Sequence, residues 1–207
     1  MSYLLIENQY FGSVNYYRTL FQYKDVKIES FEAFQKMSFR NRCTIVGSGG
    51  PIQLTIPLVG GRNNKQLIRD VRINYSTQWQ QQHWRTIVSC YGRSPFFEYY
   101  RDEVAQFYKK PVTFLWDFNW SILQWMVKQL KCTASLAVSD VYIKEVPEGV
   151  FDARNIFLPA TIAQFSAIAY TQVFEHSIGF SPNASVLDLL FCEGPSAGKL
   201  LKCKLVQ

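Results

Sequence analysis

Histidine is scarce in this chain: His83 and His176 are the two imidazoles in 207 residues. His176 stands in Glu175-His176-Ser177, with no second histidine or paired carboxylate at ligand spacing. The residues therefore support no metal site and call for no cofactor. The cysteines, Cys43, Cys90, Cys132, Cys192 and Cys203, are odd in number, widely spaced and without a Cys-x-x-Cys pair. That excludes a disulfide framework and fits reduced thiols in the cytoplasm. Long hydrophobic runs are missing. The apolar run Tyr3–Ile6 ends at Glu7, which is too short for a signal peptide or a membrane span. The expectation is a soluble protein with no membrane partner. Gly-x-Ser-x-Gly, the dinucleotide glycine pattern, the phosphate loop and the kinase set are all absent, so no reaction can be named from motifs. Zinc-finger spacing, an aromatic RNA-binding strand and a basic tail are absent too, which argues against nucleic acid.

Aromatic residues and an uneven positive charge are what the chain has in quantity. It holds 16 Phe, 12 Tyr and 5 Trp. Such side chains fill cores, and Tyr and Trp also line pockets for flat or sugar-like ligands. The net charge of +6 is not spread evenly. Residues 1–110 carry 15 Lys+Arg against 8 Asp+Glu, whereas residues 111–207 carry 7 against 8. A basic first half suits an anionic partner. With 48% hydrophobic and 18% charged residues and no linker or repeat, residues 1–207 read as one packed domain. The oligomeric state is left open.

Periodicity gives the elements. Tyr3–Ile6 predicts a buried strand, followed by the polar turn Glu7-Asn8-Gln9. Ser13 caps a helix that runs through Tyr23, and Val26–Ile28 predicts a short strand. Cys43–Val46 and Ile52–Leu58 read as two strands joined at Gly47-Ser48-Gly49-Gly50-Pro51 in a hairpin. The basic loop Gly60-Gly61-Arg62-Asn63-Asn64-Lys65 follows, then a strand over Asp70–Ile73. From Ser76 the period turns helical, with Trp84, Ile87, Val88 and Tyr91 as the buried stripe. Ser94 and Pro95 open a second helix, and Thr113 or Asp117 opens a third, to about Lys131. Ser135–Ile143 and Thr171–Phe174 read as strands, and Lys144–Ile162 reads as loop. Asn183 or Ser185 caps a last short helix that carries Asp188 in its first turn. The fold class is α/β, a single domain with a mixed β-sheet flanked by helices.

The segment Gln35-Lys36-Met37-Ser38-Phe39-Arg40-Asn41-Arg42 stands out. It sets three cations and several polar side chains between two apolar runs. Arg matches carboxylate and phosphate with a planar fork, and Lys adds a point charge. A solvated loop is the alternative. On this reading Lys36, Arg40 and Arg42 neutralise an anionic small molecule, such as a nucleotide-sugar or sugar phosphate, and Gln35, Ser38 and Asn41 orient polar groups. His83 is the candidate for proton transfer, since its ordinary pKa lies near neutrality. It cannot pair with Cys90. The two lie seven residues apart on one helix, roughly 10 Å along its axis, where a nucleophile–base pair needs about 3 Å. Asn41 and Asn183 also suit plain turn or cap roles.

In order and spacing, the chain resembles the WbqC-like family of bacterial proteins. The matching pieces are Tyr10-Phe11, Tyr16-Tyr17, Gln35–Arg42, Leu54-Thr55-Ile56-Pro57, Trp79, His83, Thr86-Ile87, Tyr91, Pro95-Phe96, and Asn183–Phe191 with Glu193-Gly194-Pro195. Some members of that family are encoded in O-antigen and other surface-polysaccharide clusters. The resemblance implies a role in surface-polysaccharide biosynthesis and a transferase activity that moves an amino-acyl (glycyl) group onto a sugar. Asn183, the first residue of the last matching piece, joins the substrate-binding candidates. The alternative is a non-catalytic ligand-binding or scaffold protein of the same pathway. One departure favours that alternative. Where the family commonly has His-Gln-Pro at the end of its first strand, this chain has Ile6-Glu7-Asn8, and Gly12-Ser13 stand in place of Pro-Trp. Glu7 offers a proton acceptor where the family histidine is missing.

Overall fold

Four runs of the sequence lie side by side in the computed structural model, which describes residues 2–60 and 66–202. They are β1 (Leu4–Glu7), β2 (Asp25–Glu29), β5 (Ser135–Val138) and β6 (Phe151–Asp152). All run parallel, in the order β5-β2-β1-β6. The central strand β1 is buried at every position, as a parallel strand covered on both faces must be. It pairs Leu4 with Val26 and Glu7 with Glu29 on one side, and Leu4 with Phe151 on the other. The sheet is doubly wound. The chain steps from β1 outward to β2 and β5, then crosses back to place β6 on the far side of β1.

The remaining strands, β3 (Arg42–Gly47) and β4 (Gly50–Thr55), form a separate antiparallel hairpin. Gly50, at φ 116°, supplies the conformation its turn requires. The α/β class with mixed β-pairing therefore holds, as a parallel sheet plus a hairpin, flanked among the described residues by helices. These are α1 (Val14–Leu20), α2 (Trp79–Tyr91), α3 (Phe97–Gln106), α4 (Leu115–Gln129), α5 (Glu175–Ile178), α6 (Val186–Glu193) and α7 (Ala197–Leu201).

Local chemistry explains most boundaries. Ser13 caps α1 by accepting the Tyr16 N–H, and Ser185 caps α6 by accepting the Leu187 N–H. Helix α1 is buried along its whole length and packs against α6 and α7. Phe11 and Phe118 are fully enclosed, each worth about 1.5–3 kcal/mol by burial. Helix α2 rests on β3, where the Tyr91 hydroxyl accepts the Val46 N–H at 3.0 Å. That seat rotates the buried stripe to Trp79, His83, Ile87, Cys90 and Tyr91, and leaves Trp84 and Val88 partly covered.

Several expectations are corrected. Helix α1 ends at Leu20 rather than Tyr23. Asp70–Ile73 is no strand. A 3-10 turn spans Ile68–Asp70, and Arg72 and Ile73 form isolated bridges to Phe114 and Leu58. Thr171–Phe174 is no strand either, but leads into the single turn of α5. Ser94 does not cap α3, because its hydroxyl donates back to the Tyr91 carbonyl and closes α2. The strand expected through Ile143 stops at Val138, where Ser139 turns to bond Ser30 and Glu29. The stretch read as loop, 144–162, contains β6. Of the basic loop, Gly61–Lys65 lies outside the described residues.

Candidate functional site

In doubly wound sheets, ligands bind outside the carboxyl ends of the strands, where the winding reverses. Here that reversal lies between β1 and β6, and a buried ionic network fills it. Glu7 ends β1 with no exposed surface. One of its oxygens accepts the Gln9 side-chain amide at 2.8 Å, and the other accepts the Asn155 N–H at 2.9 Å. The Asn155 side chain accepts from Arg40 at 2.9 Å. Arg40 holds Glu32 bidentately, through Nε at 2.6 Å and Nη2 at 2.5 Å. Glu29, at the end of β2, accepts from Ser139 at 2.7 Å and from Arg154 at 3.2 Å, and Arg154 in turn grips Asp152.

The field inside this network shifts its members. Burial raises the Glu32 carboxyl, against the pull of Arg40. Burial works to lower the Arg40 guanidinium, but Glu7 and Glu32 together raise it. Hydrogen bonds from Arg154 lower the Asp152 carboxyl.

Two expected roles change as a result. Arg40 is fully buried and its charge is neutralised internally, so it is not available to an external anion. Glu7 is equally enclosed and both its oxygens are occupied, so it meets no substrate as a proton acceptor. Charges taken out of water need partners, and tertiary packing found those partners within the chain.

The rest of the polar segment divides again. Ser38 is buried, and its hydroxyl donates to the Gln35 carbonyl at 2.5 Å, closing a tight turn. Within that turn Met37 adopts φ 54° with its side chain exposed. Gln35 is exposed but lies off the cleft that the segment borders. That cleft, about 460 Å³, is lined by Phe34, Lys36, Met37, Asn41, Arg42 and the stretch Thr55–Leu58. Asn41 commits its amide N–H to the Ile56 carbonyl at 2.9 Å, which fastens the start of β3 to the end of β4. Lys36 has no hydrogen bond or ion pair among the described residues. Among the described residues Arg42 makes only long contacts, 3.5 Å to Gln53 and 3.6 Å to the Met37 sulfur, and its Nε is buried without a partner there. Of the residues predicted to bind an anion, the structure gathers Lys36 and Arg42 with Asn41, over an apolar floor.

His83 lies behind the wall of this cleft, bonded to the backbone of Thr55, rather than in its lining. It is packed among Tyr10, Trp79 and Tyr108, with its Nδ1 3.0 Å from the Tyr10 hydroxyl. Burial pushes its pKa down to about 4, partly offset by a backbone hydrogen bond to Thr55. It is neutral at pH 7 and does not line the Lys36–Arg42 cleft. Asn183 sits at φ 57° and acts as a structural tie. Its amide donates to the carbonyls of Ile162 and Phe165, and its oxygen accepts from Asn15. Its side-chain polar atoms are thus engaged within the chain.

The sequence reading missed Glu29, Arg154 and Asn155. The last two follow β6, and the only trace of that strand was the pair Val150-Phe151 before Asp152-Ala153-Arg154. It also missed a second crevice of about 480 Å³, which opens outside the carboxyl ends of β2 and β5, beside the first turns of α4.

These features define an α/β protein with a doubly wound parallel sheet, a sealed ionic plug at its switch point and an open cationic cleft beside its hairpin. The chain belongs to the WbqC-like protein family, whose model matches residues 8–148. The pieces Asn183–Phe191 and Glu193–Pro195, which entered the resemblance read from sequence, fall beyond that match. No curated protein and no solved structure matches the chain. Among the described residues, no helix is long and apolar enough to cross a membrane.

Proposed function

We propose that this chain is a ligand-binding protein of surface-polysaccharide assembly, and that its Lys36–Arg42 cleft takes an anionic small molecule such as a nucleotide-sugar or sugar phosphate. One observation carries the reading. Lys36 and Arg42 border a cleft with no carboxylate partner among the described residues, whereas Arg40 and Arg154 are ion-paired. An unpaired Arg fork beside a Lys point charge is suited to phosphate. The apolar lining from Phe34, Pro57 and Leu58 gives the uncharged part of the ligand a surface to cover.

Binding is favoured over catalysis because His83 and Glu7 are buried and neither lines that cleft. The transferase reading, an amino-acyl (glycyl) group moved onto a sugar, draws support from the separate crevice at the strand ends. Group transfer needs two substrates, and this crevice is separate from the cationic cleft in its lining. Isothermal titration with UDP-glucose, UDP-N-acetylglucosamine and glucose 1-phosphate at low salt tests the proposal. Heat should be released by the wild type, and Arg42→Ala should bind about 10- to 100-fold more weakly, the worth of a charge-assisted hydrogen bond. No binding, or equal binding by Arg42→Ala, overturns it.

A further inference from the structure

The crevice beyond β2 and β5 has features that the cationic cleft lacks. Trp116 and Trp120, one turn apart on α4, stack on each other with ring centroids 5.4 Å apart and planes within 19°. Both line the crevice and both are partly exposed. Because each indole holds the other, the aromatic surface is fixed before any ligand arrives, and little side-chain freedom is lost on contact. Around it stand Ser30, Arg69, Asp70 and Asp117. The carboxylates of Asp70 and Asp117 are exposed and have no ion pair or hydrogen bond among the described residues. Arg69 lays its guanidinium over the Phe31 ring, 4.6 Å from its centroid.

Polar groups beneath this surface are unsatisfied. Among the described residues the buried Trp116 indole N–H has no acceptor. Asn8, just after β1, donates to the Trp116 carbonyl while its own side-chain oxygen is buried without a donor. Buried polar atoms normally find partners, and among the described residues these two have none.

The geometry points to a binding site for a neutral sugar ring stacked on the Trp116–Trp120 pair, its hydroxyls donating to Asp70 and Asp117. Charge selects this class. Two carboxylates against one guanidinium repel a phosphate, which the cleft at Lys36 and Arg42 would attract. An organic cation is disfavoured because it prefers several aromatic faces converging around it, and two parallel rings offer one flat face. A pyranose presents an apolar C–H face to an aromatic surface and paired hydroxyls to carboxylate acceptors at its edge. The assignment supplies the acceptor site of the transferase reading and rests on that reading only for its place in a reaction. The binding itself is tested separately.

The test is saturation-transfer NMR on the full chain with methyl glycosides of glucose, galactose, mannose and N-acetylglucosamine, alongside a fluorescence titration of the indoles. At least one glycoside should receive saturation and shift the emission. Trp120→Ala should weaken that binding at least about tenfold, equivalent to about 1.4 kcal/mol. Asp117→Asn, an exposed change that leaves the fold intact, should weaken it several-fold. Lys36→Ala with Arg42→Ala should leave it unchanged, which separates this site from the anion cleft. The assignment is overturned if none of the four glycosides binds, if Asp117→Asn and Trp120→Ala bind like wild type, or if UMP or tetramethylammonium occupies the crevice in their place.

Discussion

Arg40 and Glu32 form a two-pronged ion pair in the interior, Nε to Oε1 at 2.6 Å and Nη2 to Oε2 at 2.5 Å, with Arg40 fully buried. Through Asn155 the pair is joined to Glu7 at the end of β1, so it locks the loop after β2 to the loop after β6. Removing one partner strands a buried charge. Arg40→Ala should cost about 3–5 kcal/mol of stability, read as a lower urea midpoint. A loss below about 1 kcal/mol, with ligand binding abolished instead, would show that Arg40 serves a ligand.

His83 sets a pH dependence of known sign. Its folded pKa is about 4, below the unfolded value of about 6.5. Between these values the unfolded chain binds a proton that the folded chain does not, so stability rises with pH across this window. The contribution is fully present above about pH 6.5 and is lost as pH falls towards 4. It amounts to about 3 kcal/mol, at about 1.36 kcal/mol per pKa unit. Thermal unfolding of wild type and His83→Gln between pH 4 and pH 7 checks this. The variant should lose most of the slope, and an unchanged slope would assign it to other groups.

Asn183 offers a test of structure against binding. Asn183→Ala loses three side-chain hydrogen bonds and forces a Cβ-bearing residue without a polar side chain to keep φ 57°. At about 0.5–1.5 kcal/mol per bond, about 2–4 kcal/mol should go. Asn183→Gly keeps the backbone freedom and should fall between wild type and Ala in a denaturant titration.

At Gly198 the cost is steric. A Cβ built there would lie 2.0 Å from the Leu130 carbonyl oxygen, which belongs to the residue that ends α4. Backbone cannot yield as a side-chain tip does, so Gly198→Ala should push α7 off α4 and cost more than about 2 kcal/mol. A melting temperature within a degree of wild type would refute this contact.

Lys36→Ala and Arg42→Ala together should change stability by less than about 0.5 kcal/mol, because neither side chain has an ion-pair partner to lose among the described residues. Anion binding by the wild type should also weaken as salt is raised from low to physiological concentration, through screening of the exposed Lys36. Calorimetry at two salt concentrations measures it.

The sequence by itself determined the local pieces. The apolar run before Glu7 predicted a buried strand, Ser13 predicted the cap of the helix that follows it, Asn183 or Ser185 the cap of the last helix read, and glycines between alternating apolar runs predicted a hairpin; the structure selects Ser185. In each case the cause lies within a few residues. The WbqC-like membership was legible too, because it resides in order and spacing. The sequence did not show which cations were free. Lys36, Arg40 and Arg42 look equivalent within seven residues of chain, but only tertiary packing brought Glu32 and Asn155 to Arg40 and left the other two unpaired at a cleft. His83 has a near-neutral pKa as a residue type, and burial among Tyr10, Trp79 and Tyr108 displaced it. The two-residue strand β6 was invisible because it is held by pairing with β1 rather than by any periodicity of its own. Charge availability, pKa and long-range pairing depend on what lies within a few ångströms in space, and in this chain those neighbours are often more than a hundred residues apart in sequence.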